Sequence, residues 1–500
     1  MRTSPRTVSL VAVLTCAVML LLGWLNKARC AGGPFDAEGR TLRFEEIKDA
    51  HVCYSDIQQL WIGRGINLHV FPFIDGGITD TGALTGGTVE YPVLSGVLMW
   101  IGALGAHNDT EFLLHSALLL APFGLVTAWL LARMAGWAAL LWSATPPLVL
   151  YAFLNWDLSV VAVTVAAFAV MTVQRWSLRT RGVIAAALLA VGFCLKLYPG
   201  LFVLPLIAYV FTGGETPERR RDVSGALAVA GTAAVVAAAI NAPFALLGYE
   251  GWRASFVFQQ NREADGTSNS IWYWGLRPLL GGYQEYENTQ EFIDLVAVLS
   301  PALVAASLVL ALCLGWRRYL REGVYPWLGT GAAMLCGFLL FHKVHSPQYT
   351  LWLLPLLILL RVPWGLVAAY LVADLAIGIG IFRWFAATAG MTDETLPLVL
   401  VHVGVWGRAI LSIVLFFVFL RSSPRDPWRR TEKTDDSRRP TIPEGVRRPT
   451  SGWSMQCPNG WSIRYSKVPG SASNRCAGPT PRGWWPPRTI PTRSSRGPRP

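Results

Sequence analysis

"PVLSGVLMWIGALG", residues 92–105, is an apolar run that opens on a proline and closes at Gly105. Whether it crosses a bilayer decides on which side every later loop lies. It falls short of the ~20 residues that a spanning helix needs, so it reads as an interfacial or re-entrant helix. Charge tests that choice, because Lys and Arg gather in short cytoplasmic loops. If residues 92–105 do not cross, the inside receives Arg2, Arg6, Arg133, "QRWSLRTR" (174–181), "ERRRD" (218–222), "WRRYLREG" (316–323), Arg361 and the C-terminal tail. If they cross, several of these clusters are turned outward.

Other apolar runs lie near residues 7–25, 112–132, 137–154, 158–173, 182–196, 198–212, 223–241, 292–315, 327–341, 349–361, 363–381 and 398–420. They predict an all-α, polytopic membrane protein of about twelve transmembrane helices. Composition agrees: 53% of the 500 residues are hydrophobic, 15% are charged and mean hydropathy is +0.39, which excludes an ordinary soluble globule. The first run follows a basic start and lacks a convincing small-residue cleavage site, so it reads as a retained helix.

The net charge of +12 comes from the tail: residues 421–500 hold 17 Lys and Arg against 5 Asp and Glu, leaving 26 of each in residues 1–420. The chain thus divides into a membrane domain, 1–420, and a basic Pro/Arg-rich cytoplasmic tail, 421–500, expected to be disordered.

Two long loops face outward, 26–111 and 242–291, and loops of that length are usually functional. The first carries eleven acids, from Asp36 to Glu111, with Asp56 in "HVCYSDIQQLWIGRG" (51–65). Asp56 is either a solvated loop acid or a general base for a hydroxyl substrate. Cys30 and Cys53 share this loop, and an oxidising exterior would permit a disulfide between them. Glu90 and Tyr91 precede Pro92, where helix capping accounts for Glu90 as readily as substrate contact does.

Further along, Asp157 in "FLNWDLSV" can cap the helix that follows. Lys196 in "FCLKLYPGLF" stands at an outer turn, where the charge rule disfavours lysine and an anionic ligand would explain it. "FHKVHSPQYTLWLLP" (341–355) clusters His342, Lys343, His345 and Tyr349, readable as a lipid-phosphate site or as an interfacial anchor. In the second loop, Arg262 is a phosphate contact or a partner of Glu263 or Asp265, and Trp272 belongs to an aromatic wall or interfacial belt. Asp374 and Arg408 lie within apolar runs and are expected to pair. No nucleotide cradle or metal-ligand spacing is present, so neither cofactor nor metal is expected, and nothing calls for nucleic acid.

The ordered pieces "CYSDI", "EYPVL", "LNWDL", "KLYPGLFVLP", "NAPFALLGYEGW", "SNSIWYWG" and "HKVHSPQYTLWLLP" resemble the GT-C membrane glycosyltransferases, specifically the family 87 mannosyltransferases of actinobacteria that use a polyprenyl-phosphate sugar. The resemblance implies a GT-C architecture and an essential aspartate in the first outer loop, where Asp56 matches. It implies transfer of a sugar, mannose in that family, from a polyprenyl-phosphate donor to a lipid or glycan acceptor hydroxyl with inversion at the outer face of the plasma membrane. His342, Lys343, His345, Arg262 and Lys196 are the candidates for the donor phosphate. Glu90, Tyr91, Asp157, Tyr349 and Trp272 are the candidates for further substrate contacts. A transporter or flippase, or a noncatalytic glycan-lipid binder, would suit the crossing number. Transporters, however, place polar sites at the bilayer midplane, whereas these polar clusters gather at one edge.

Overall fold

The computed structural model describes residues 4–215, 221–280 and 288–425. The expected disorder of the tail falls outside these residues from 426 onward. Within them the chain is almost wholly helical, and seven helices are long and apolar enough to cross a membrane. Two of these are α1 (Pro5–Ala28) and, after the first loop with its short helices α2 (Asp56–Gly63) and α3 (Val93–Ala103), α4 (Asp109–Ala135). Then follow α5 (Asp157–Met171), α6 (Leu178–Leu195), α7 (Val203–Phe211) and α8 (Val223–Leu247). The second loop carries α9 (Tyr249–Asn261) and leads to α10 (Gln290–Glu322), α11 (Trp327–Phe341), α12 (Thr350–Leu359), α13 (Trp364–Thr388) and α14 (Thr395–Arg421).

α1 shows how sequence sets the surroundings of each helix. Ser4 caps it by accepting a hydrogen bond from the Thr7 N–H, and Pro5 fills the first turn, where its missing N–H costs nothing. Val8, Ala12, Cys16 and Leu20 recur at four-residue spacing and are buried, while Leu10, Leu14, Val18 and Leu21 on the other side are more than half exposed. A helix apolar on both its packed and its open side belongs in lipid.

α3 has 11 residues, about 16 Å of helix against a hydrocarbon core of ~30 Å, too little to cross. It lies against α4 and α6, where the Ser95 hydroxyl donates to the Leu195 carbonyl at 2.7 Å. The expected twelve crossings are not matched by twelve long helices: five apolar helices, α3 among them, are only 10–17 residues long. Residues 137–154, expected as one crossing, are three short pieces instead. Gly136, at φ 61°, ends α4 ahead of them, and a second break precedes Pro146.

The first loop is a built structure. A disulfide joins Cys30 to Cys53 with their Cα atoms 5.8 Å apart. Arg40 donates to the carbonyls of Gln58 and Gln59, each at 3.0 Å, and lies over the Phe44 ring. The Gly/Thr-rich stretch between the two motif-bearing ends forms a two-stranded antiparallel hairpin, Gly77–Ile78 with Leu84–Thr85, packed against α9.

α13 and α14 form the closest helix pair. A side chain at Gly404 would sit 2.6 Å from the Ile377 backbone nitrogen, so glycine permits the approach. Across this interface Arg408 lies 3.8 Å from Asp374, each 1% exposed, and Asp374 also accepts a hydrogen bond from the Thr350 hydroxyl. Replacing Arg408 by Ala leaves Asp374 as an uncompensated buried charge and should cost about 3–5 kcal/mol of stability. Replacing both residues by apolar ones should cost less, as read from unfolding midpoints in detergent.

Candidate active site

Asp56 opens α2, and its surroundings are set from a distant segment. Ser55 caps α2 by accepting from the Ile57 N–H at 3.2 Å, while its own hydroxyl donates to the Phe153 carbonyl at 2.6 Å. The Asp56 N–H donates to the Leu154 carbonyl at 2.8 Å. The start of α2 is therefore stitched to residues 153–155. Each carboxylate oxygen has one donor: the Tyr54 hydroxyl reaches Oδ1 and the Asn155 amide reaches Oδ2, both at 2.7 Å. Burial raises the Asp56 pKa above the usual carboxylate value, a rise opposed by these two hydrogen bonds and the charge of Lys196 and reinforced by Glu90. Each oxygen keeps lone-pair capacity to take a proton from a hydroxyl.

Behind Asp56 lies a chain of polar contacts in an otherwise apolar interior. The Asn155 amide also donates to the Tyr91 hydroxyl at 2.7 Å, and its oxygen accepts from Lys196 Nζ at 3.2 Å. Lys196 pairs with Asp157 Oδ1 at 2.7 Å, and the Trp352 indole N–H donates to the same oxygen at 2.6 Å. The Lys196 ammonium sits 5.4–6.0 Å from the ring centroids of Tyr91, Tyr349 and Trp352. Tyr349 and Trp352 belong to a stack in which Tyr198 and Tyr349 cover Trp352 at 4.4 and 3.8 Å. A buried ammonium is thus held by one carboxylate, one amide oxygen and the negative faces of aromatic rings.

Asp56, Glu90, Tyr91, Lys196, Arg262, His342 and Tyr349 all line one cavity of about 1150 Å³. Its floor comes from helix ends and its sides from both long loops. Arg262, half-buried at the end of α9, makes no side-chain hydrogen bond or ion pair among the described residues, while Asp265 and Glu90 lie near enough to favour its charge. Arg64 spans the mouth and grips Glu90 through Nε at 2.6 Å and Nη2 at 3.1 Å, with Phe258 against its guanidinium. Burial lowers the pKa of His342, and Lys343 and Arg262 lower it further, while its Nδ1 faces the Val344 carbonyl at 2.7 Å. Burial thus favours the uncharged imidazole of His342, and the cationic side chains lining the cavity are Lys48, Arg64, Lys196 and Arg262.

Several sequence expectations are corrected by this geometry. Lys343 lines a separate cavity of about 330 Å³ and donates to the Gln260 carbonyl at 2.8 Å. His345 is 8% exposed and stacks behind Tyr349, and burial holds it neutral as well. Trp272 is buried with Phe292 and Val296 and donates to the Phe341 carbonyl. Asp157 is fully buried beneath Lys196; it is the first residue of α5, and it neither caps the helix nor reaches the cavity. Glu90 does not cap α3, whose cap is Pro92 without a side-chain bond. Nor does Arg262 pair with Glu263, which accepts from Asn288 instead. Sequence reasoning missed Tyr54, Arg64 and Asn155. Tyr54 and Asn155 stand inside quoted motifs, beside the acids that drew notice. Arg64 stands in "IGRG", with no local sign that its partner lies 26 residues on.

Among the described residues no cluster of three or more His, Cys, Asp or Glu could hold a metal ion. Residues 90–347, just over half of the chain, match glycosyltransferase family 87. The chain belongs to that family. With its seven long apolar helices, this family 87 glycosyltransferase is an integral membrane protein. Asp56 lies ahead of the matched residues and is brought to them by Leu154 and Asn155. Two solved structures are similar. One is ArnT from Cupriavidus metallidurans bound to undecaprenyl phosphate, at 18% identity over 82% of this chain and 77% of that one, with a TM-score of 0.39. The other is the Archaeoglobus fulgidus oligosaccharyltransferase in its apo form, at 13% identity over 82% of this chain and 56% of that one, with a TM-score of 0.36. No curated protein matches the sequence.

The Arg64–Glu90 fork joins the α2 end of the first loop to the start of α3. A double-mutant cycle with Arg64→Ala and Glu90→Gln should return a coupling of about 1–3 kcal/mol, as expected of a largely buried, bidentate charged pair. Arg64→Lys, which keeps the charge but loses the fork, should recover only part of it.

Proposed function

We propose that this protein transfers a sugar, mannose in the first instance, from a polyprenyl-phosphate donor to a hydroxyl of a lipid or glycan acceptor. The reaction takes place at the extracytoplasmic face of the plasma membrane. The observation that carries this reading is the meeting of the Asp56 carboxylate and the unpartnered Arg262 guanidinium in one large cavity at the ends of lipid-exposed helices. Family membership supports the reaction class, and the lining of the cavity supports the roles.

In the proposed step the acceptor oxygen attacks the anomeric carbon as Asp56 takes its proton. The bond from that carbon to the phosphate oxygen breaks, its electron pair leaves with the phosphate, and the configuration inverts. Arg262 stabilises the leaving phosphate, whose charge grows in the transition state. His342, being neutral, serves as a hydrogen-bonding group. Tyr349 and Tyr91 border the sugar, with Glu90 beyond them in its fork with Arg64. The membrane domain, residues 1–420, carries the whole activity.

Reconstituted protein given radiolabelled polyprenyl-phosphate-mannose and envelope lipids should move label into a new product. Asp56→Asn should lower kcat/KM by about 10²–10⁴-fold, the usual share of a general base. Wild-type activity should fall as pH drops through the raised Asp56 pKa, so the acid limb should lie above the ordinary carboxylate range. Full transfer by Asp56→Asn would remove the residue from the mechanism.

A further inference from the structure

The chain of contacts behind Asp56 assigns work to residues that do not touch the reacting atoms. We propose that Asn155 is a positioning residue that fixes the Asp56 carboxylate, and that Lys196 acts on the base through Asn155 instead of binding the donor phosphate. This rests on the reading of Asp56 as the base.

Asn155 is 1% exposed, and its amide is fully engaged. Its oxygen accepts from the Trp156 N–H at 2.7 Å and from Lys196 Nζ at 3.2 Å, and its nitrogen donates to Asp56 Oδ2 and the Tyr91 hydroxyl, both at 2.7 Å. The amide has one orientation that satisfies its neighbours, because a lysine can only donate and a carboxylate can only accept. Flipping it would set NH2 against NH3⁺ and oxygen against oxygen. Lys196 therefore orients the amide, and the amide orients the base.

Charge alternates along the line: Asp157 negative, Lys196 positive, the Asn155 dipole aligned between, Asp56 negative. In a buried setting such an aligned chain strengthens each of its bonds. Lys196 is itself poorly suited to hold a phosphate. It is 8% exposed, already paired with Asp157 at 2.7 Å and faced by three aromatic rings. The Arg262 side chain, in contrast, makes no hydrogen bond or ion pair among the described residues, so of these two cations Arg262 is left for the leaving group and Lys196 for the base.

The titratable and charged groups facing Asp56 are Lys27 of α1, Tyr54, Glu90, Tyr91, Lys196 and Tyr349. Of these, Lys196 favours the carboxylate and Glu90 opposes it, as does the burial of Asp56 itself. Removing Asn155 or Lys196 takes away an interaction that favours the charged form, so the pKa of Asp56 must rise.

The experiment titrates the Asp56 carboxyl directly, by infrared difference spectra of each background with and without Asp56→Asn, alongside the pH profile of mannose transfer. Asn155→Ala and Lys196→Met should both move the Asp56 titration, and the acid limb with it, to higher pH. The neutral-pH loss of kcat/KM should be about 10- to 100-fold, that of one hydrogen bond to a charged group. Lys196→Arg, which keeps the charge, should hold the titration closer to wild type than Lys196→Met does, and KM for the donor should stay within about twofold.

An unmoved titration in folded Asn155→Ala and Lys196→Met protein would overturn the proposal, as would a raised donor KM in Lys196→Met with no shift. Should Asn155→Ala not fold, the Lys196 pair decides alone. The infrared titration needs no turnover, so a wild type that transfers nothing would count against the proposed activity and leave this test standing.

Discussion

A carboxylate taken out of water must be held by donors, and in this protein they come from two places. Tyr54 is two residues away and Asn155 is 99 residues away. The second contact makes the first loop part of the membrane domain. Without it, the start of α2 would be an exposed helix end attached to a disulfide-bonded loop; with it, Ser55, Asp56 and residues 153–155 form one unit at the head of α5. The same unit brings Lys196 and Asp157 under the site, and through Trp352 it reaches α12. Four helices thus end on the polar chain that terminates in the base or on the rings that cover it.

The cavity is sorted by charge in a way that suits group transfer from a phosphate. The Arg262 guanidinium makes no hydrogen bond or ion pair among the described residues. Lys196 has its charge shared among Asp157, Asn155 and three rings. Glu90, which would repel an anionic donor, is held by Arg64. The imidazoles of His342 and His345 are kept neutral by burial. What the sequence presents as one basic cluster is, in three dimensions, one open guanidinium beside a set of committed or neutral groups.

Much of this architecture was legible in the sequence, for physical reasons. Long apolar runs fit lipid-facing helices, and the run at 92–105, shorter than a spanning helix needs, forms the 11-residue α3. Acids with an odd position, such as Asp56, draw attention by cost. Less legible was whatever depends on partners far along the chain. Residues 137–154 look like one crossing because their composition is apolar throughout; only the left-handed Gly136 ahead of them and the break before Pro146 set the pieces apart. Asp157 and Glu90 look like helix caps because capping is local, and they bond Lys196 and Arg64 because those groups arrive from elsewhere. Asn155, an uncharged residue beside a more conspicuous aspartate, gives no sign of the four bonds its amide makes.

The disulfide at the root of the first loop also sets a length. Cys30 lies two residues past the end of α1, and Asp56 lies three residues past Cys53. Three extended residues span at most about 11 Å. Asp56 is therefore on a short leash tied to the end of α1, and movement of residues 31–52 leaves it beside that helix.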